Sequence, residues 1–275
     1  MNSKPSSLSG SPSAAAAFLA GRCCEQMLRP FWEAVETGLL ESGSLGGFLA
    51  GGRGYELHRF TLRGPSDGNS VVRLGIFATI HGDEPQGAQA LIELARLARR
   101  HPDLFRGYEL HLYPLCNPTG YEDSTRHSRR GEDLNRHFWR GSSEPEVALL
   151  EQEIASRRFH GIIALHADDT SDGVYGFVRG ATISQELLAP ALDAASARLP
   201  VNREPVIDGF RAQGGIIVEG YDGILSAGPS GPRPFEVVFE TPAHAALDLQ
   251  VQATVLAMEA ILRRYRAMLS VANDI

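Results

Sequence analysis

Apolar positions along the chain fall into two kinds of pattern. Some form short continuous runs: "VVRLGIFATI" (71–80), "GIIALH" (161–166), "GGIIVEG" and "FEVVFE". Such runs predict strands covered on both faces. "YELHRFTLR" (55–63) alternates and predicts a strand exposed on one face, and "YELHLYPL" (108–115) is another strand. Other runs have helical spacing. "PQGAQALIELARLARR" (85–100) ends in basic residues that suit a helix C-terminus. "ISQELLAPALDAASARL" (183–199) predicts a helix kinked or broken at Pro190. "AALDLQVQATVLAMEAILRRYRAML" predicts a long closing helix. Strands alternate with helices, so the expected fold class is α/β, with a mixed, mostly parallel sheet sandwiched between helices.

With 275 residues the chain can bury a large core. The Ser/Pro/Gly-rich residues 1–13 are expected to be disordered, with residues 14–275 as a single domain. "AAAAFLAG" has one basic residue ahead of it and a Ser/Pro-rich opening, so it reads as the lead into a helix rather than a signal peptide. A formal charge of −7 argues against a general nucleic-acid or anionic-membrane binder. No apolar run is long enough to span a bilayer. Three cysteines, Cys23, Cys24 and Cys116, are too few for a disulfide framework and suggest reduced thiols in a cytoplasmic setting.

In open α/β sheets ligands bind at the carboxyl ends of strands. Four stretches put polar residues there: His81–Glu84, Asn117, His166 and Glu240. Pro85 suits a first helical position and biases Glu84 toward extended geometry, so Glu84 belongs to the turn before the helix. His81 and Glu84 can then face one cavity, with Gly82 giving the bend freedom. Equally, Glu84 or Asp83 could cap the helix, leaving His81 structural. His166, ending a buried run, supplies the third member of a His₂Glu set. That set suits catalytic zinc, one ion per chain, with bonds of roughly 2.0–2.2 Å and a fourth position left to water. Glu240, desolvated at the end of an apolar strand, is the candidate general base. Arg126, Arg129, Arg130 and Arg136 are dense basic charge in an acidic chain. Arginine grips carboxylates bidentately, so Asn135 and Arg136 could hold an anionic substrate terminus.

"HGDE", "NPTGYEDSTRHSRRGEDLNRHF", the strand-end "LH" at 165–166 and "FETPA" together resemble, in order and spacing, the M14 zinc carboxypeptidase superfamily. The resemblance covers about residues 70–265. That superfamily includes metallocarboxypeptidases, bacterial murein-peptide amidases and the succinylglutamate desuccinylase/aspartoacylase branch. The resemblance implies a phosphorylase/hydrolase-like sheet, zinc on His81, Glu84 and His166, and Glu240 as base and then acid. It also implies Arg126 as the group polarising the scissile carbonyl, and Asp133 and Asn117 as supports around the site. A mobile-loop tyrosine often covers such sites; Tyr221 is the candidate here, with Tyr175 as another. The implied reaction is hydrolysis of an amide bond next to a free carboxylate, on a peptide or an N-acyl amino acid. The desuccinylase/aspartoacylase branch usually carries a further β-rich domain after the base glutamate. Here one long helix follows, so that branch stands second to a metallocarboxypeptidase or peptide amidase.

Asp168 and Asp169 follow a candidate ligand and fit either a hydrogen bond to the site or a turn. His58 and His111 lie within strands and read as structural or surface residues, and His101 as a helix terminator.

Overall fold

The computed structural model describes residues 22–68, 70–218 and 233–273. In chain order the elements are α1 (Cys24–Glu36), β1 (Glu41–Ala50), β2 (Arg53–Arg63), β3 (Val72–Ala78), α2 (Gln86–Arg100), β4 (Tyr108–Tyr113), α3 (Pro118–Asp123), α4 (Pro145–Arg157), β5 (Gly161–Asp168), β6 (Tyr175–Val178), α5 (Ala189–Ala195), β7 (Val206–Ile207), β8 (Phe210–Gln213), β9 (Ile216–Ile217), β10 (Phe235–Pro242) and α6 (Leu247–Asn273). Residues 1–13 lie outside the described residues. No helix among the described residues is long and apolar enough to cross a membrane.

The strands form one ten-stranded mixed sheet in the order β1-β2-β4-β3-β5-β10-β6-β9-β8-β7. Its centre is parallel: β3 pairs in parallel with β4 and β5, and β5 with β10. The continuous apolar runs are explained by helices on both faces. On β3, Leu74, Ile76 and Ala78 face one core with Phe31 of α1, Leu91 and Leu94 of α2 and Ile261 of α6. Phe77 faces the other, with Val147, Leu150 and Ile154 of α4. β5 splits the same way, Ile163 and Leu165 against Ile162 and Ala164, and so does β10. This is the period-two alternation of a strand, hidden in the sequence because both faces are apolar.

The helix expected over 183–199 is interrupted. A single turn at Ala181–Ile183 runs into a π turn at Ser184–Leu188, and α5 resumes at Ala189. Pro190 has no N–H to offer the Glu186 carbonyl four residues back. Arg264 of α6 donates to that carbonyl instead, at 3.3 Å, and its guanidinium also pairs with the Glu186 carboxylate. The break is thereby tied to the closing helix.

The topology aligns the carboxyl ends of β3, β4, β5 and β10 along one edge. Glu240 is the register partner of His166 on neighbouring parallel strands, so the two side chains leave the same face of the sheet.

Candidate metal centre and active site

The segment between β3 and α2 is shaped by close packing. Thr79, fully buried, has a left-handed φ of 54°. That conformation costs of order 1–3 kcal/mol for a β-branched residue and persists only where surroundings hold it. Here the Thr79 carbonyl accepts from Asn117 N–H at 2.9 Å, and the Thr79 hydroxyl donates to the Glu84 carbonyl at 3.4 Å. Gly82 is needed for a different reason from the expected one. Its φ is not left-handed, but a Cβ there would lie 1.9 Å from the Gly120 carbonyl carbon and 2.1 Å from Tyr121 N. Gly82 lets the turn press on α3; it does not free the bend. Pro85 also sits one position earlier than expected, at the N-cap of α2.

Glu84 makes no capping bond to α2. Its carboxylate turns into the sheet edge. Oε1 lies 2.6 Å from His81 Nδ1, and Oε2 lies 2.9 Å from His166 Nδ1 and accepts from the Ala167 N–H at 3.1 Å. The two Nδ1 atoms are 3.2 Å apart. All three residues are buried, at 3%, 6% and 3% exposure for His81, Glu84 and His166. They form a group of potential metal ligands with ligand atoms within 4.8 Å of one another. Burial alone would raise the Glu84 carboxyl, but the two imidazoles outweigh it and hold it well below the usual range. Burial pushes His166 down and favours its neutral form. At His81 burial also pushes down, but Glu84 and Asp133 prevail and the net direction is up.

The outer nitrogens have partners of their own. His81 Nε2 faces Asp133 Oδ1 at 3.2 Å, and Asp133 Oδ2 accepts from Arg126 Nε and Nη2, both at 3.1 Å. His166 Nε2 faces the Asn135 amide at 3.4 Å, while Asn135 Oδ1 is buried without a partner. A half-turn of that amide brings Oδ1 onto His166 Nε2–H and frees Nδ2 for the cavity. With the outer nitrogens so engaged, a cation beside Glu84 would be met by the Nδ1 atom of each imidazole. Two neutral imidazoles and a carboxylate, each backed by an outer partner, are a donor set that fits zinc.

His81 and Glu84 line a cavity of about 560 Å³ that also takes in Arg126, Asn135, Arg136, Tyr175 and Glu240, with His166 buried behind them against Glu84. Glu240 is partly exposed in it; burial, then Glu84 and Asp168, push its carboxyl well above the usual range. Asn117 is buried outside the cavity wall. It caps α3 through Gly120 N–H and donates to the carbonyls of Ile80 and Arg126, fixing both loops. Asp168 does both things expected of it. It accepts from Thr170 N–H at 2.8 Å in a turn and from Tyr175 O–H at 2.9 Å in the cavity. Tyr221 lies outside the described residues. Sequence reasoning missed the cavity wall from the β7–β8 hairpin, Asp208 and Phe210, since two-residue strands carry no periodicity.

A family model, the succinylglutamate desuccinylase/aspartoacylase catalytic domain, matches residues 70–201. Among solved structures, a candidate metallopeptidase from Shewanella baltica is 25% identical, with a TM-score of 0.68 and coverage of 85% of this chain and 90% of that one. These matches support a place in the M14 metallocarboxypeptidase superfamily. Two further solved structures share its fold at lower identity. A candidate metallopeptidase from Shewanella denitrificans is 24% identical, TM-score 0.70, covering 86% of this chain and 88% of that one. A metallo-carboxypeptidase from Burkholderia cenocepacia is 16% identical, TM-score 0.65, covering 90% and 70%. No match is found among curated proteins. The fold shared with these structures brings His81, Glu84 and His166 together at one sheet edge. The matched stretch holds those three together with Arg126, Asp133, Asn135 and Arg136, and comes from the branch ranked second from sequence. Glu240 lies beyond it and is placed by its register with His166.

Proposed function

We propose that the protein is a zinc-dependent hydrolase of amide bonds adjacent to a free carboxylate, with zinc held by His81, Glu84 and His166. The observation that carries this reading is the clustering of that buried trio beside a cavity that His81 and Glu84 line together with a proton-affine carboxylate, Glu240, and an arginine, Arg126. Zinc at such a site supplies a Lewis acid and water acidified toward neutrality. Asn135 Nδ2 and Arg136 grip the substrate carboxylate and orient the scissile bond. Arg126, held on Asp133, faces the carbonyl oxygen and stabilises the charge that develops there. Glu240 takes a proton from the attacking water and delivers it to the departing nitrogen, a task that its raised proton affinity suits.

The second reading is an N-acyl amino acid deacylase, favoured by the family model matched over residues 70–201. The two differ in whether the acyl side is a peptide or a small acid, and parallel assays on C-terminal peptides and N-acyl amino acids separate them. For either, Glu240→Gln is expected to lower kcat by two to four orders of magnitude, about the weight of general acid–base catalysis. Zinc content by elemental analysis should stay at one per chain. Full turnover in that variant, or loss of its zinc, would count against the role given to Glu240.

A further inference from the structure

The turn that carries His81 and Glu84 is gripped from two sides. The Glu84 N–H closes it on the His81 carbonyl at 3.2 Å. Between the two lies Gly82, buried and pressed against the α3 backbone at Gly120 and Tyr121. The Gly82 carbonyl accepts from Arg22 Nη1 at 2.8 Å, a contact between residues 60 apart in sequence. Among the described residues no other donor reaches that carbonyl. Arg22 also lies over the Tyr121 ring, its Cζ 5.4 Å from the centroid. Tyr121 therefore supports the turn twice, its backbone against Gly82 and its ring beneath the arginine that holds the Gly82 carbonyl.

Arg22 is delivered by a fixed element. It stands just ahead of α1, whose Leu28, Phe31 and Ala34 are buried in the core. The start of that helix is tied to α3 as well, since Cys24 Sγ donates to the Pro118 carbonyl at 3.4 Å. Thus α1, α3 and the metal-site turn meet at one point, and the guanidinium joins them. An arginine suits this place better than a lysine. Its flat head can face an aromatic ring while an N–H donates to a carbonyl, and its charge strengthens that bond.

We propose that Arg22 is a positioning residue for the metal centre: through the Gly82 carbonyl it fixes the turn on which His81 and Glu84 come to His166. This rests on the reading that those three residues hold zinc. Without Arg22 a carbonyl in the middle of the turn, on a buried residue, loses its partner, and the turn shifts to recover one. Arg22 lies ahead of residues 70–201, the stretch that the family model matches. The metal-site turn thus depends on a part of the chain outside that match.

The test uses the full-length protein and its Arg22→Ala and Arg22→Lys variants. Zinc affinity is measured by competition with a chelator, and amide hydrogen exchange is followed by NMR in metal-free protein. In Arg22→Ala zinc affinity is expected to fall about tenfold, the low end of the cost of losing a group that orients a ligand. Exchange at the Glu84 N–H, which closes the turn, should quicken by at least about the same factor, while Ile76 and Phe77 of β3 keep native protection. Arg22→Lys should recover part of both losses, because an ammonium still donates to the Gly82 carbonyl. Unchanged affinity together with unchanged exchange at Glu84 in Arg22→Ala overturns the proposal. So does faster exchange spread evenly through β3, which would make Arg22 a support of the fold at large, and so does the lack of any recovery in Arg22→Lys. If the native chain takes up no zinc, the zinc reading falls by itself, and exchange at Glu84 alone decides whether Arg22 holds the turn.

Discussion

Asp133 joins two functions through one carboxylate. Oδ1 meets His81 Nε2 at 3.2 Å and Oδ2 receives the Arg126 fork. Burial would raise its carboxyl, but His81 and Arg126 hold it well below the usual range, so it is a charged acceptor at neutral pH. An acceptor on Nε2 keeps the proton there and leaves Nδ1 free as a ligand. Asp133→Asn should therefore weaken zinc affinity by about 10- to 100-fold, the usual cost of losing such a partner. A competition titration with a chelator measures it, and an unchanged affinity would show that His81 needs no such fixing. His81, Glu84 and His166 are legible in the sequence only as a set, because each alone has a bland use as a helix cap or a strand-end histidine and the three together make a His₂Glu donor group. The pairing of His166 with the Asn135 amide is not legible there, since the two are 31 residues apart and only the sheet edge joins them.

At the scale of elements, the strands and helices with long, strong patterns are legible and the remainder are not. β1 reads "ESGSLGGFLA", rich in glycine and serine at an edge where no residue is fully buried, so no alternation marks it. Its pairing with β2 from Glu41↔Thr61 to Ala50↔Arg53 supplies what its side chains do not. β9 falls within the strand expected at "GGIIVEG", but β6, β7 and β8 are two to four residues long, too short for periodicity, yet they bring Tyr175, Phe177, Asp208 and Phe210 to the cavity. The turn between β3 and α2 was legible in its residues but not in its cause. Because Gly82 presses on the backbone of α3, and backbone cannot swing aside, Gly82→Ala must displace the turn that carries His81 and Glu84. A loss of about 1–3 kcal/mol is expected, as for other overpacked sites. Thermal unfolding of metal-free protein should show a lower Tm, and zinc should restore less of it than in the native chain. An unchanged Tm would mean that α3 yields more readily than its packing suggests.

Across the whole molecule, charge is buried in a second place, outside the cavity lining. Glu153 of α4 accepts from Arg59 of β2 at 2.6 Å, Arg157 at 2.8 Å and Tyr113 O–H of β4 at 2.9 Å. Beside this cluster His111, 2% exposed, lies edge-on to Phe159 and within 2.8 Å of Glu109 through Nε2. Burial, then Arg59 and Arg157, hold its imidazole down to about 3, against the attraction of Glu153. The group is thus neutral in the folded chain over most of the acid range, while the unfolded histidine takes up a proton near 6.5. Its contribution is whole above about 6.5 and is lost as pH falls toward about 3, at a slope of at most about 1.4 kcal/mol per pH unit. Between roughly pH 6.5 and 5 the carboxylates held low contribute little, because their unfolded values lie lower, while Glu240, held high, takes up a proton in the folded chain and adds stability as pH falls. His166 pulls stability the same way and His81 the opposite way, so the native chain's slope alone is ambiguous. The difference from His111→Gln is not, since that variant keeps both metal-site histidines. Urea midpoints across this window should fall with pH more steeply in the native chain than in His111→Gln. Parallel slopes would mean that His111 charges freely, and that the network around Glu153 leaves it room for the proton.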